Sequence, residues 1–309
     1  MKTTIRNATI VCALAGVMTA GVVEGADIRY QGSGDYFDFL AAGNVGPNGW
    51  QNVAGVPGLP GAADSARFNW GGNTVTLAGL APDVFRLQMG VDEPGTLEVN
   101  SGGSITALQD VYAGNNNVNA TGTLTVNDGG IVNVGRILWA ANNSSSGNIN
   151  INSGGQVNVA SHLWWGVTGP AVANISGTLT QTGGILGLGT SNASTPSGGT
   201  ATVNILDGGL LALNNISGGA GTPSIQAGSF IDITGSGQLT VPGDFVGVLT
   251  GYANDNKIGG LGVPGLSNLS IDLTKNVGFT TVYIPEPTTF ALMSLFGVGL
   301  LVRRLGYKG

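Results

Sequence analysis

The chain has 309 residues, 55 of them Gly, with 9% charged and 6% aromatic residues. Gly is therefore about 18%, against ~7% in ordinary proteins, yet no Gly-X-Y period accompanies it, which excludes collagen. A hydrophobic content of 42% and a mean hydropathy of +0.24 exclude wholesale disorder. Between Asp27 and Ile284 six bases stand against 15 acids, a net charge near −9, which disfavours a nucleic-acid partner.

The chain opens with Lys2 and Arg6, then an apolar run from Ala8 to Val23, then Gly25 and Ala26. A basic start, an apolar centre and small residues at its end predict a secretory signal peptide over residues 1–25, cleaved at Gly25 and Ala26. The run is shorter than the ~20 residues of a spanning helix. Cys12, the only cysteine, lies within it, so the body can form no internal disulfide.

The body repeats. Gly95-Thr-Leu-Glu-Val-Asn-Ser-Gly-Gly103, Gly122-Thr-Leu-Thr-Val-Asn-Asp-Gly-Gly130 and Gly147-Asn-Ile-Asn-Ile-Asn-Ser-Gly-Gly155 are near copies, with weaker copies ending at Gly184, Gly209 and Gly237. The steps between these glycines are 27, 25, 29, 25 and 28 residues. Apolar residues alternate on either side of each marker, as in Leu124/Val126 and Val132/Val134, which predicts short strands with one buried face. The copy ending at Gly184 is one residue short before the marker and carries Gln181. One copy is too small to enclose a core, whereas stacked copies bury a continuous apolar column. The expected fold is an all-β, single-stranded parallel β-helix, right-handed, of about six to seven coils. Six of them rise roughly 29 Å. Residues 26–93 are expected to form an N-terminal cap and first irregular coil, with Val84 to Gly90 finishing that coil. Residues 94–241 are the repeats, and residues 242–284 close the other end, with Gly278 to Val282 as a last strand.

The C-terminus reads Ile284-Pro285-Glu286-Pro287, then an apolar stretch from Thr288 to Val302, then Arg303-Arg304. As a helix that stretch spans only ~22 Å. The arginines predict that its end stays cytoplasmic. Residues 285–309 resemble the PEP-CTERM sorting signal of Gram-negative-type bacteria in order, position and pairing with a signal peptide. The repeats resemble the autotransporter-passenger-like β-helix repeats of such exported proteins. The resemblance implies signal peptidase and exosortase as export partners, with Pro285, Glu286, Pro287, Arg303 and Arg304 as the sorting and processing residues. It also implies transient membrane association through the C-terminal hydrophobic helix, transit through the inner membrane, a final place at the cell surface or in the extracellular matrix, and an association with exopolysaccharide or biofilm.

Catalysis is not favoured by the residues. A lyase acting on acidic glycans needs clustered bases, but Arg136 is the only one between Leu87 and Asn256. Hydrolases need two carboxyl groups within about 5–9.5 Å, while Asp128 and Asp207 are expected three coils apart, roughly 14 Å. His162 is the only histidine and has no second His or Cys with which to share a metal. Asn254-Asp255-Asn256 reads as a solvated loop. No cofactor or metal is expected. The aromatics form a different pattern: Tyr112, Trp139 and Trp164 recur at one place in three consecutive copies, with Trp165 beside the last. Stacking aligns them as a ladder, next to a row of Val111, Leu138 and Leu163 that must face the opposite way. One row fills the core and the other faces out, and the sequence leaves open which. Asn100, Asn127 and Asn152 align as an amide ladder. The expectation is a non-enzymatic, structural or adhesive exported protein. The alternatives are a glycan-binding module using an exposed Tyr112/Trp139/Trp164/Trp165 strip, and a carbohydrate-active β-helix enzyme.

Overall fold

Each repeat contributes three short strands separated by corners, and in the computed structural model these strands wind into a parallel β-solenoid of about seven turns. The structure describes residues 25–30, 36–39, 50–52, 54, 58–68, 72, 74–190, 198–218 and 223–285. Residues 1–24 of the predicted signal segment and everything from Glu286 onward lie outside these residues.

Among the described residues the strands form three sheets of eight, ten and eight strands. Sheet 1 runs through Ser65–Phe68, Arg86–Met89, Val111–Ala113, Leu138–Ala140, Leu163–Trp165 and Leu186–Leu188. Sheet 2 includes Thr74–Leu77, Gly95–Val99, Thr121–Val126, Ser146–Ile151, Pro170–Ile175 and Thr200–Ile205. Sheet 3 includes Ser104–Ala107, Ile131–Val134, Gln156–Val159, Thr178–Gln181 and Gln238–Pro242. Equivalent residues of successive coils pair in register, so Leu97, Leu124 and Ile149 are lateral neighbours. Their side chains point inward and are fully buried, as are Ile105, Val132 and Val157 on sheet 3. Each such side chain stabilises the fold by about 1.5–3 kcal/mol through burial, and none could do so within a single coil.

The Gly-Gly markers are corners. Gly102, Gly129 and Gly154 have φ of +78°, +71° and +79°, a region that costs other residues strain. The second glycine meets a different constraint: a β-carbon on Gly130 would lie 2.5 Å from the Val99 carbonyl oxygen of the preceding coil.

One sequence expectation needs correction. The fourth marker is Gly177, not Gly184, because Gln156 pairs with Thr178 and Val159 with Gln181. That coil turns from sheet 2 to sheet 3 on Ser176-Gly177 alone, so Leu186 and Leu188 belong to sheet 1. Gln181 occupies an inward position, 3% exposed. Its Nε2 donates to Ser161 O at 2.7 Å and its Oε1 accepts from the Asn214 N–H at 3.4 Å. Within residues 26–93, expected to hold the N-terminal cap and a first irregular coil, strands already stack in parallel: Asp27–Tyr30 pairs with Ser65–Phe68, and that strand with Arg86–Met89. Of the described cap strands, Trp50–Asn52 pairs antiparallel to its neighbour.

At the other end the helix α1 (Val246–Asn254) inserts Leu249, Tyr252 and Ala253 into the end of the core. The Tyr252 hydroxyl accepts from the Ser224 N–H at 2.7 Å and donates to Ile216 O at 3.2 Å. The strand Phe279–Tyr283 runs antiparallel to Gln238–Pro242, placing Val282 opposite Leu239 and ending the parallel stack.

Candidate functional site: the arginine and aromatic face

The outward residues of sheet 1 form a row set by strand register: Arg29, Arg67, Gln88, Tyr112, Trp139, Trp164 and Gly187. The alternating inward row holds Ala66, Leu87, Val111, Leu138, Leu163 and Leu186, all fully buried. The aromatic ladder therefore faces out, half-buried, and the Val111/Leu138/Leu163 row fills the core. Trp165 does not belong to the ladder. It lies one residue on, where the pleat turns its side chain inward, and it is 1% exposed beside Ala140 and Leu188 in register.

The rings pack on one another. Tyr112 stacks on Trp139 with centroids 5.7 Å apart and planes 9° from parallel. Trp139 meets Trp164 edge to face at 4.6 Å, and His162 stacks on Trp164 at 4.8 Å. Gly187 follows Trp164 in the row, and a β-carbon there would come within 3.2 Å of the indole Cδ1. His162 Nδ1 accepts from the Ile185 N–H at 3.1 Å. Burial holds its pKa below the ordinary value, so the ring is neutral at neutral pH.

Beside the ladder sits a charged cluster that the sequence did not announce. Asp110 is 0% exposed. It accepts from Arg136 Nε at 2.8 Å, pairs also with the second arm of that guanidinium, and accepts from the Tyr112 hydroxyl at 3.2 Å. Arg86 Nε lies 3.8 Å from the same carboxylate. Arg67 pairs with Asp27 at 2.9 Å. Burial, then the Asp110 charge, push the Tyr112 hydroxyl up to about 12. The hydrogen bond to Asp110 raises the Arg136 pKa. Arg29, Arg67, Arg86 and Arg136 are widely spaced in sequence, and the parallel register brings them to one face. The signal that could have found them is that register: Arg29, Arg67 and Gln88 occupy the row position of Tyr112.

The remaining predicted positions scatter. The Gly25 and Ala26 N–H groups bond to Ala63 O at 2.5 Å and Asp64 Oδ1 at 3.0 Å. Pro285 lines a surface cavity with Leu261 and Ile284. Glu286, Pro287, Arg303 and Arg304 lie outside the described residues. Asp207 holds the Ser236 N–H and hydroxyl of the next coil at 2.9 and 2.7 Å, a turn role, and those bonds lower its pKa. The Asn ladder forms: Asn127 Nδ2 donates to Asn100 Oδ1, and Asn152 Nδ2 to Asn127 Oδ1, both at 2.6 Å. A second ladder, not foreseen, joins Asn150, Asn174 and Asn204 at 2.9 and 2.8 Å. Among the described residues no three His, Cys, Asp or Glu side chains are grouped to hold a metal, and no helix is long and apolar enough to cross a membrane.

Fold and face together define a parallel β-solenoid with one arginine- and aromatic-bearing outer surface. The chain matches no protein-family model, no curated protein and no solved structure.

Proposed function

We propose that this protein is exported from a Gram-negative-type bacterium and serves, without catalysis, as a structural and adhesive rod at the cell surface or in the extracellular matrix. The observation that carries this reading is the uninterrupted stack of about seven coils around one apolar column. Such a stack is stiff along its axis and repeats its outer chemistry at a fixed rise, as a spacer requires. The winding is right-handed, the hand that twisted strands favour when consecutive parallel strands are connected. Export rests on the sequence of the two ends: a signal peptide cleaved at Gly25 and Ala26, and a PEP-CTERM-like segment processed near Pro285, Glu286 and Pro287 by an exosortase. Residues 94–241 are the repeat body, flanked by the segments that close each end.

A second reading, a glycan-binding module, is favoured by the outward ladder of Tyr112, Trp139 and Trp164. The two readings agree if this face is the adhesive surface of the rod. The test of export is fractionation of cells followed by intact-mass measurement of surface-released protein. The expected species lacks both ends. A full-length species confined to the cytoplasm would overturn the proposal.

A further inference from the structure

We infer that the outer face of sheet 1 binds a sparsely carboxylated polysaccharide, its arginine end taking the carboxylates and its aromatic end the neutral sugars. The inference rests on the reading of this face as the adhesive surface. Four of the six bases between Asp27 and Ile284 stand here, on a body whose charge is near −9. Asp27 and Asp110 offset part of that charge, through Arg67 and through Arg86 with Arg136. Arg29 makes no ion pair among the described residues, and the Arg67, Arg86 and Arg136 side chains remain 19%, 25% and 48% exposed.

The central row also holds polar atoms without a partner: Arg29 Nε, Arg67 Nε, Trp139 Nε1 and Trp164 Nε1, all donors, and Gln88 Oε1 on a side chain 5% exposed. An unmet buried polar group costs roughly 1–3 kcal/mol, and four N–H donors in one row call for oxygen acceptors. Ring, hydroxyl and carboxylate oxygens of a sugar chain supply them, reached by rotation of the half-buried side chains. The aromatic rings, packed on one another, offer apolar edges to the sugars beside them.

Charge chooses between polyanions. A nucleic acid carries a phosphate at every step and is repelled by the acidic body. An occupant with few, spaced carboxylates gains the arginines without that penalty. From Arg29 to Trp164 the row crosses six strands, roughly 24 Å, on a rigid support that suits an extended chain laid along the rod.

The experiment measures binding of the full chain, in mild detergent, to immobilised gellan, to carboxyl-reduced gellan and to double-stranded DNA at two salt concentrations. Gellan should bind at low salt, weaken as salt rises, and bind about tenfold more tightly than its carboxyl-reduced form. Arg29→Gln with Arg67→Gln should erase most of that difference, and Trp139→Ala with Trp164→Ala should weaken both glycans alike. Equal binding to the two glycans, no binding to either, or preference for DNA overturns the inference. If the variants fail to fold by circular dichroism, the comparison of gellan with its reduced form on the unaltered chain still decides. A protein found at the cell surface that ignores gellan defeats this inference alone and leaves the exported rod standing.

Discussion

Arg136 and Asp110 belong to consecutive coils, and their side chains meet on the outer face of sheet 1 through two arms of one guanidinium. The pair is asymmetric, because Asp110 is fully enclosed whereas the Arg136 side chain is 48% exposed. Removing either partner therefore has different consequences. Arg136→Ala leaves an enclosed carboxylate whose remaining cation, Arg86, is 3.8 Å away, and should cost about 3 kcal/mol. Asp110→Asn leaves a guanidinium that water can reach, and should cost about 1–2 kcal/mol. Urea unfolding of both variants checks the order. Equal losses would mean that the enclosure of Asp110 does not matter.

Tyr112 reports on the same cluster through its titration. Its hydroxyl is raised to about 12 by burial first and by Asp110 second. A tyrosine in the unfolded chain ionises near 10. The folded state thus favours the neutral phenol. The stability this contributes is fully present below pH 10 and is lost as pH rises through about 12. Burial raises the Tyr252 hydroxyl as well, so absorbance of tyrosinate on alkaline titration should show late-ionising tyrosines, and Tyr112→Phe should remove one of them while Tyr252 remains. Asp110→Asn should bring the Tyr112 ionisation earlier without restoring the ordinary value, since burial remains.

The coil was legible because its causes are local and repeated. Leu124/Val126 and Val132/Val134 give the strand alternation, and Gly129-Gly130 gives the corner between them. The fourth coil was misread because it turns on Ser176-Gly177, so the next glycine pair, Gly183-Gly184, stood in for the corner. In the first coils the pair Gly71-Gly72 precedes Thr74–Leu77 and Ala78-Gly79 follows it, so the marker is missing from its usual corner, and their stacking shows only in pairings such as Arg67 with Gln88. Helix α1 was hidden for a different reason. Gly247, Gly251 and the β-branched Val246, Val248 and Thr250 are poor helix formers, and the N-cap residue, Phe245, has no side-chain acceptor for the first turn. Burial of Leu249, Tyr252 and Ala253 over the open core end holds it in place. The orientation of the ladder could not be read because both rows, Tyr112 with Trp139 and Val111 with Leu138, are apolar enough to be core.

Glycines in the corners and in the helix should respond in opposite directions to the same substitution. A β-carbon on Gly155 would collide with the carbonyl oxygen of Val126, a backbone atom fixed by the neighbouring coil. Gly155→Ala should destabilise by about 2–4 kcal/mol, as expected of overpacking against a rigid wall. Gly251 lies within α1 with open space around its α-carbon. Gly251→Ala should stabilise by about 0.5–1 kcal/mol by helix propensity alone. Thermal melts of the two variants suffice, and a stabilised Gly155→Ala would contradict the close stacking of coils at this corner.

The Asn ladder offers a test of cooperation between coils. Asn127 is the middle rung: it donates to Asn100 and accepts from Asn152. Asn152 is exposed, and its amide donates downward to Asn127. Asn127→Ala removes two amide bonds and leaves a rung missing between two coils. It should cost about 1–2 kcal/mol, whereas Asn152→Ala should cost about half of that. Native-state hydrogen exchange separates this from a general loss of stability. The backbone amides of Gly130 and Gly155, which donate to Asn127 O and Asn152 O at 2.9 and 2.8 Å, sit in the corners that the ladder fastens. In Asn127→Ala both should exchange faster than amides in the strand Leu163–Trp165 on the opposite sheet. A uniform rise across all three sheets would mean that the ladder carries no stability of its own and that its alignment merely follows from the stacking of coils.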